Sequence, residues 1–129
     1  MEQTYLKFPN NEWGVVIVWN FDVEEEYDEL CEQLRSFGMT PFNTKKALRI
    51  LSNYNTGMAV SNEVLRMSAI YISDATTPSE WWDTSAHEIA HVATAIIDHY
   101  DVPYYSESTA YLAGYLMKQL VEQVAEPCY

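Results

Sequence analysis

Basic residues are scarce in this chain of 129 residues: seven Lys and Arg stand against nineteen Asp and Glu, for a formal charge of −12. A chain so acidic repels a phosphate backbone instead of gaining free energy from released counterions, which argues against nucleic acid as its partner. Cysteine is nearly absent. Cys31 and Cys128 form no CxxC pair and no disulfide framework, so both read as free thiols of a reducing compartment. No stretch approaches the roughly 18 apolar residues of a membrane span, and the first residues lack a basic segment followed by an apolar one. The expectation is a cytoplasmic protein with no membrane partner. Gly and Pro are also few, four and five, while 48% of residues are hydrophobic, enough for a core and too many for a disordered chain. The length suits one domain covering residues 1–129.

What is there is patterned. Trp13 to Phe21 (WGVVIVWNF) is a continuous apolar run, which predicts a strand buried on both faces. After Asp22, acids followed by Tyr27, Leu30, Leu34 and Phe37 at helical spacing predict a surface helix that ends at Gly38. A shorter helix follows over about Thr44 to Ser52. Gly57 to Ser61 and Arg66 to Ser73 read as two β segments, the second rich in β-branched and aromatic residues. Thr77, Pro78 and Glu80 form a capping box with proline at the first helical position, and they announce a long helix running to about His99. A last helix spans roughly Ser106 to Val124. The expected architecture is α+β, a sheet of about three strands packed against the long helix and the C-terminal one.

The chemistry sits in the long helix, where His87-Glu88-Ile89-Ala90-His91 forms an HExxH motif from two of only three histidines. At about 100° per residue the two imidazoles stand about 40° apart on adjacent turns and can share one ion, with Glu88 offset beside them as base for an attacking water. Trp82, Ser85, Ile89, Val92, Ala93 and Ile96 lie opposite His87, so the helix should pack that stripe on the sheet and turn its histidines away. Two protein ligands are one short of a catalytic zinc site. His99 lies eight residues past His91, about 12 Å along the helix, and does not reach. Glu107, opening the last helix, is the expected third ligand. Ala110, Ala113, Gly114, Met117, Leu120, Val121 and Val124 mark that helix's expected buried face, and Glu107 falls at its edge. Tyr104 or Tyr105, just before it, are candidate donors to a tetrahedral oxyanion.

His87-Glu88-Ile89-Ala90-His91 with Glu107 on a second helix resembles the gluzincin group of zinc metallopeptidases, and the capped helix start with its preceding strand is similar to the core of the zincin fold. The resemblance spans roughly Met67 to Val124. It implies Zn²⁺ bound by His87, His91 and Glu107, with Glu88 as general base, in a peptidase or amide hydrolase. The size looks more like that of the minimal, single-lobed zincins of phage, prophage and bacterial proteins. It further implies a peptide substrate paired with an edge strand at the cleft, here Ala69 to Ser73. The chain departs from the group in its tight connection of sixteen residues from His91 to Glu107 and in lacking a second lobe. Those departures leave a second expectation, a zincin-shaped binding protein that keeps its metal for stability or for partner recognition. The acidic charge favours a neutral or basic peptide.

Overall fold

The computed structural model describes residues 1–8, 12–100 and 107–124. In chain order its elements are β1 (Glu2–Lys7), β2 (Gly14–Trp19), α1 (Tyr27–Ser36), α2 (Pro41–Leu51), β3 (Gly57–Asn62), β4 (Met67–Ile72), α3 (Pro78–His99) and α4 (Ser108–Gln123). The strands form one sheet in the order β1-β2-β4-β3, with β2 and β4 parallel and both outer pairs antiparallel. Helices cover both faces. Val15, Ile17 and Trp19 of β2 join Ile70 and Ile72 of β4 under α3 and α4, while Val16, Val18, Ala69 and Tyr71 face Leu30 and Leu34 of α1 and Leu48 of α2. This two-sided burial is the reason the Val, Ile and Trp run is continuous instead of alternating.

Two sequence expectations are corrected here. The sheet has four strands, not about three, because the Glu2–Lys7 segment pairs along the outer side of β2. Of its residues only Leu6 is buried, so hydrophobic alternation carries little sign of it. Second, Ala69 to Ser73 is not an edge: β4 is hydrogen-bonded to β2 on one side and β3 on the other. The antiparallel strand at the sheet's α3 end is β3.

The opposite edge is partly sealed by α4. Lys7 N–H donates to Gln119 Oε1 at 2.8 Å, and Gln119 Nε2 donates to the Lys7 carbonyl at 2.7 Å, so one side-chain amide takes the place of a neighbouring strand. Thr4 Oγ1 also bonds to Gln123 Oε1. Pairing such an edge blunts its tendency to recruit another strand. Strand directions and these contacts run α4 antiparallel to α3, with Phe8 stacked on Tyr100 at the end of α3 and lining a hollow with Ser108 and Tyr111 at the start of α4. Among the described residues no helix is long and apolar enough to cross a membrane. Gln119→Ala should lower stability by about 1–2 kcal/mol in urea denaturation, from two lost hydrogen bonds, and speed amide exchange at Lys7.

Candidate metal centre

Helix α3 begins where its capping sequence predicts: Thr77 Oγ1 accepts from the Glu80 N–H at 3.2 Å, and Pro78 opens the first turn. Its rotation about its own axis is set by what it buries. Trp81, Ser85, Ile89, Val92, Ala93 and Ile96 lie in the core, so the opposite face points to solvent and carries His87 and His91, both exposed. Trp81, rather than Trp82, is the fully buried indole, meeting Trp19 edge to face. Ser85 Oγ donates to the Trp81 carbonyl at 2.7 Å, which satisfies the one hydroxyl on that face.

The two histidines converge. His87 Nε2 and His91 Nε2 stand 3.1 Å apart with their rings at 76°. Two nitrogens bonded to one tetrahedral ion at the usual distance of about 2.05 Å would stand about 3.3 Å apart, so the rotamers already suit shared coordination. Glu88 completes the group: among the described residues, ligand atoms of His87, Glu88 and His91 all lie within 4.8 Å of one another, and the cluster is able to hold a metal ion. Unlike the two histidines Glu88 is buried, at 5% exposure, and its Oε2 has no hydrogen-bond partner among the described residues. A carboxylate oxygen withheld from water and left unpaired is costly unless something cationic or a proton donor meets it. Burial raises the Glu88 pKa above its ordinary value of 4.5, and the fields of His87 and His91 oppose that rise.

The burial comes from β3. At Gly57, which opens that strand, a Cβ would lie 2.6 Å from Thr84 Cγ2, 2.9 Å from Glu88 Cγ and 3.3 Å from the Tyr71 carbonyl. Only a residue without a side chain lets the strand rest this closely on α3, and the strand's backbone then roofs the glutamate. This contribution was missed in the sequence, where Gly57 is simply the start of a β segment; a strand opening on glycine was the available signal.

The other predicted site residues are elsewhere. Glu107 does not join the cluster. It precedes α4, whose first turn lies beside the last turn of α3, and nine residues of helix, about 13 Å, separate His91 from Tyr100. Nor does Glu107 sit at the edge of the buried face. Leu112, Leu116 and Leu120 face the core, while Ala110, Gly114 and Val121, expected inside, are exposed, and Glu107 is on the outer side with them. His99 approaches Glu63 instead, Nδ1 to Oε2 at 3.9 Å, and meets the Trp13 ring edge-on. Tyr104, Tyr105 and Cys128 lie outside the described residues; Cys31 is a free, half-buried thiol on α1. Compared with family models, with curated proteins and with solved structures, the chain matches none.

Two outcomes are expected for the metal-free protein. A group whose folded pKa is raised binds more protons folded than unfolded, so its cost to stability appears as pH rises above 4.5 and is absent below. Glu88→Gln should therefore raise the stability of the protein at neutral pH, with the gain vanishing in acid, as read from urea titrations at several pH values. Gly57→Ala should cost about 1–3 kcal/mol through overpacking, and Thr84→Ser, which removes the closest methyl, should restore part of that loss in the double variant.

Proposed function

We propose that the chain is a zinc-dependent peptidase or close amide hydrolase, in which His87 and His91 are two of the three metal ligands, the third lying outside the cluster, and Glu88 is the general base. The observation that carries this reading is the pair of exposed imidazole nitrogens 3.1 Å apart beside a buried carboxylate oxygen that has no partner. Two imidazoles favour zinc over magnesium or calcium, which prefer shells made of oxygen. An ion at this place supplies Lewis acidity toward a water and a carbonyl. Glu88 supplies the proton acceptor. Its raised pKa makes it a better base than an exposed carboxylate, able to take the proton of the attacking water and return it to the departing amine.

The substrate in this reading is an extended peptide added to the outer edge of β3 through main-chain hydrogen bonds. Gly57 begins that edge against Glu88 Cγ, which brings a bound backbone carbonyl close to the carboxylate. With a formal charge of −12 the protein suits a neutral or basic peptide. The likeness to gluzincins then rests on the motif and its capped helix, without Glu107.

The same cluster favours a second reading, because the Glu88 carboxylate is near enough to both histidines to be a ligand itself. The metal would then be structural or serve partner recognition, and the protein would not hydrolyse peptides. One variant separates the two. Protein purified without chelator should carry about one zinc per chain by mass spectrometry, and His87→Ala or His91→Ala should abolish it. In the enzyme, Glu88→Gln keeps zinc and loses roughly 10²–10⁴-fold in peptide hydrolysis; in the structural reading, it loses zinc affinity. Protein that takes up no zinc on reconstitution overturns both.

A further inference from the structure

We propose that the outer face of α4 pairs two copies of this chain in an antiparallel, two-fold symmetric dimer. Among the described residues three turns of that face have no partner: Glu107, Ala110, Tyr111, Gly114, Tyr115 and Lys118 line an open hollow of about 650 Å³. At about 100° per residue they fall within an arc of about 140°, opposite the core-facing Leu112, Leu116 and Leu120. Tyr111 is 72% exposed and Tyr115 41%, and a second apolar hollow lies between those rings and Phe8. In a chain of charge −12, the larger hollow carries one acid and one base, at its two ends.

The order of these residues identifies the occupant as a second copy. Place a two-fold axis at the height between Leu112 and Ala113 and run the second helix in the opposite direction. Tyr111 then shares a layer with Gly114 of the other copy and Glu107 with Lys118, while the Tyr111 and Tyr115 rings of both copies gather on one flank of the seam and the Ala110 side chains on the other. The Tyr111 ring meets a glycine across the seam, the tyrosine rings of the two copies meet along one flank and each charge meets its opposite, and the symmetry makes every contact twice, as an isologous interface requires. Gly114 gives the Tyr111 ring its depth, since a Cβ there would meet nothing within 4 Å among the described residues of the single chain. Small residues at a crossing let two helices approach to the short end of the usual 8–10 Å separation. Mutual repulsion of two acidic chains opposes association at long range, but at 0.15 M salt the Debye length is about 8 Å, so it is screened while the Glu107–Lys118 contacts remain. One helix pair lies near or below the ~1,200 Å² lower end of specific interfaces, which sets the expected dissociation constant in the micromolar range, roughly 1–100 μM.

Sedimentation equilibrium of the intact chain in 0.15 M NaCl, from about 1 μM to 1 mM, tests the dimer. The wild type should dimerise within that range. Gly114→Leu, whose side chain enters open space in the single chain and so spares the fold, should weaken dimerisation at least tenfold. Glu107→Lys and Lys118→Glu should each weaken it, and the double charge reversal should recover most of the affinity. A wild type that stays monomeric throughout overturns the proposal. So does a dimer indifferent to Gly114→Leu, or a double reversal no tighter than the single ones. Circular dichroism of each variant confirms that the fold is retained, and none of these residues belongs to the metal cluster.

Discussion

The rotational setting of one helix on one sheet governs the rest of this structure. Ile89, Val92, Ala93 and Ile96 of α3 are anchored over Ile70, Ile72 and Ile17, and that burial fixes the phase of the helix. Because successive side chains are about 100° apart, a rotation by a single residue would in one direction carry Glu88 into water and in the other turn both Glu88 and His91 under the strands. In the setting observed, the apolar stripe is satisfied, the histidines share the opposite face, and Glu88 falls on the boundary between them. The environment of the motif is therefore set by packing: on a differently seated helix the same residues would still stand on adjacent turns, but not as two exposed imidazoles beside a buried carboxylate.

The boundary position of Glu88 carries a cost that the surrounding structure has to sustain. A buried carboxylate oxygen without a partner destabilises the folded chain, and such groups are uncommon enough to call for a reason. Here the cause is visible in the close approach of β3 at Gly57, which excludes water from one side, while the two imidazoles stand on the other. Local destabilisation of this kind is typical where a group is held ready for something that is not part of the fold. The hydrophobic layers on both sides of the sheet, with β2 almost entirely buried, supply the stability that tolerates it.

Much of this was legible in the chain itself wherever a local rule coincided with the tertiary demand. Thr77 and Pro78 mark the start of α3 because the cap's hydrogen bond is made within one turn. The run in β2 reads as central because both of its faces need apolar cover. Prediction failed where pairing or direction depended on distant residues. Glu2–Lys7 is a strand because β2 offers an edge and Gln119, 112 positions away, seals the other side. The resemblance puts an edge at Ala69 to Ser73, and nothing local in the sequence orders that strand's neighbours, which only the sheet places on both of its sides. Glu107 looked like a ligand by type and spacing, yet an antiparallel helix pair carries its first residue to the far end of α3.

The sequence by itself determined that two histidines and a glutamate share one capped, amphipathic helix, since helical geometry is set within a few residues and burial follows the apolar stripe. It also determined the acidic charge and the two-sided central strand. Only the tertiary structure decided which strand borders the glutamate, that β3 roofs it through Gly57, and that Glu107 stands outside the cluster on the open face of α4. These outcomes depend on strand order and helix direction, which arise from contacts between segments tens of residues apart, and no local pattern encodes them.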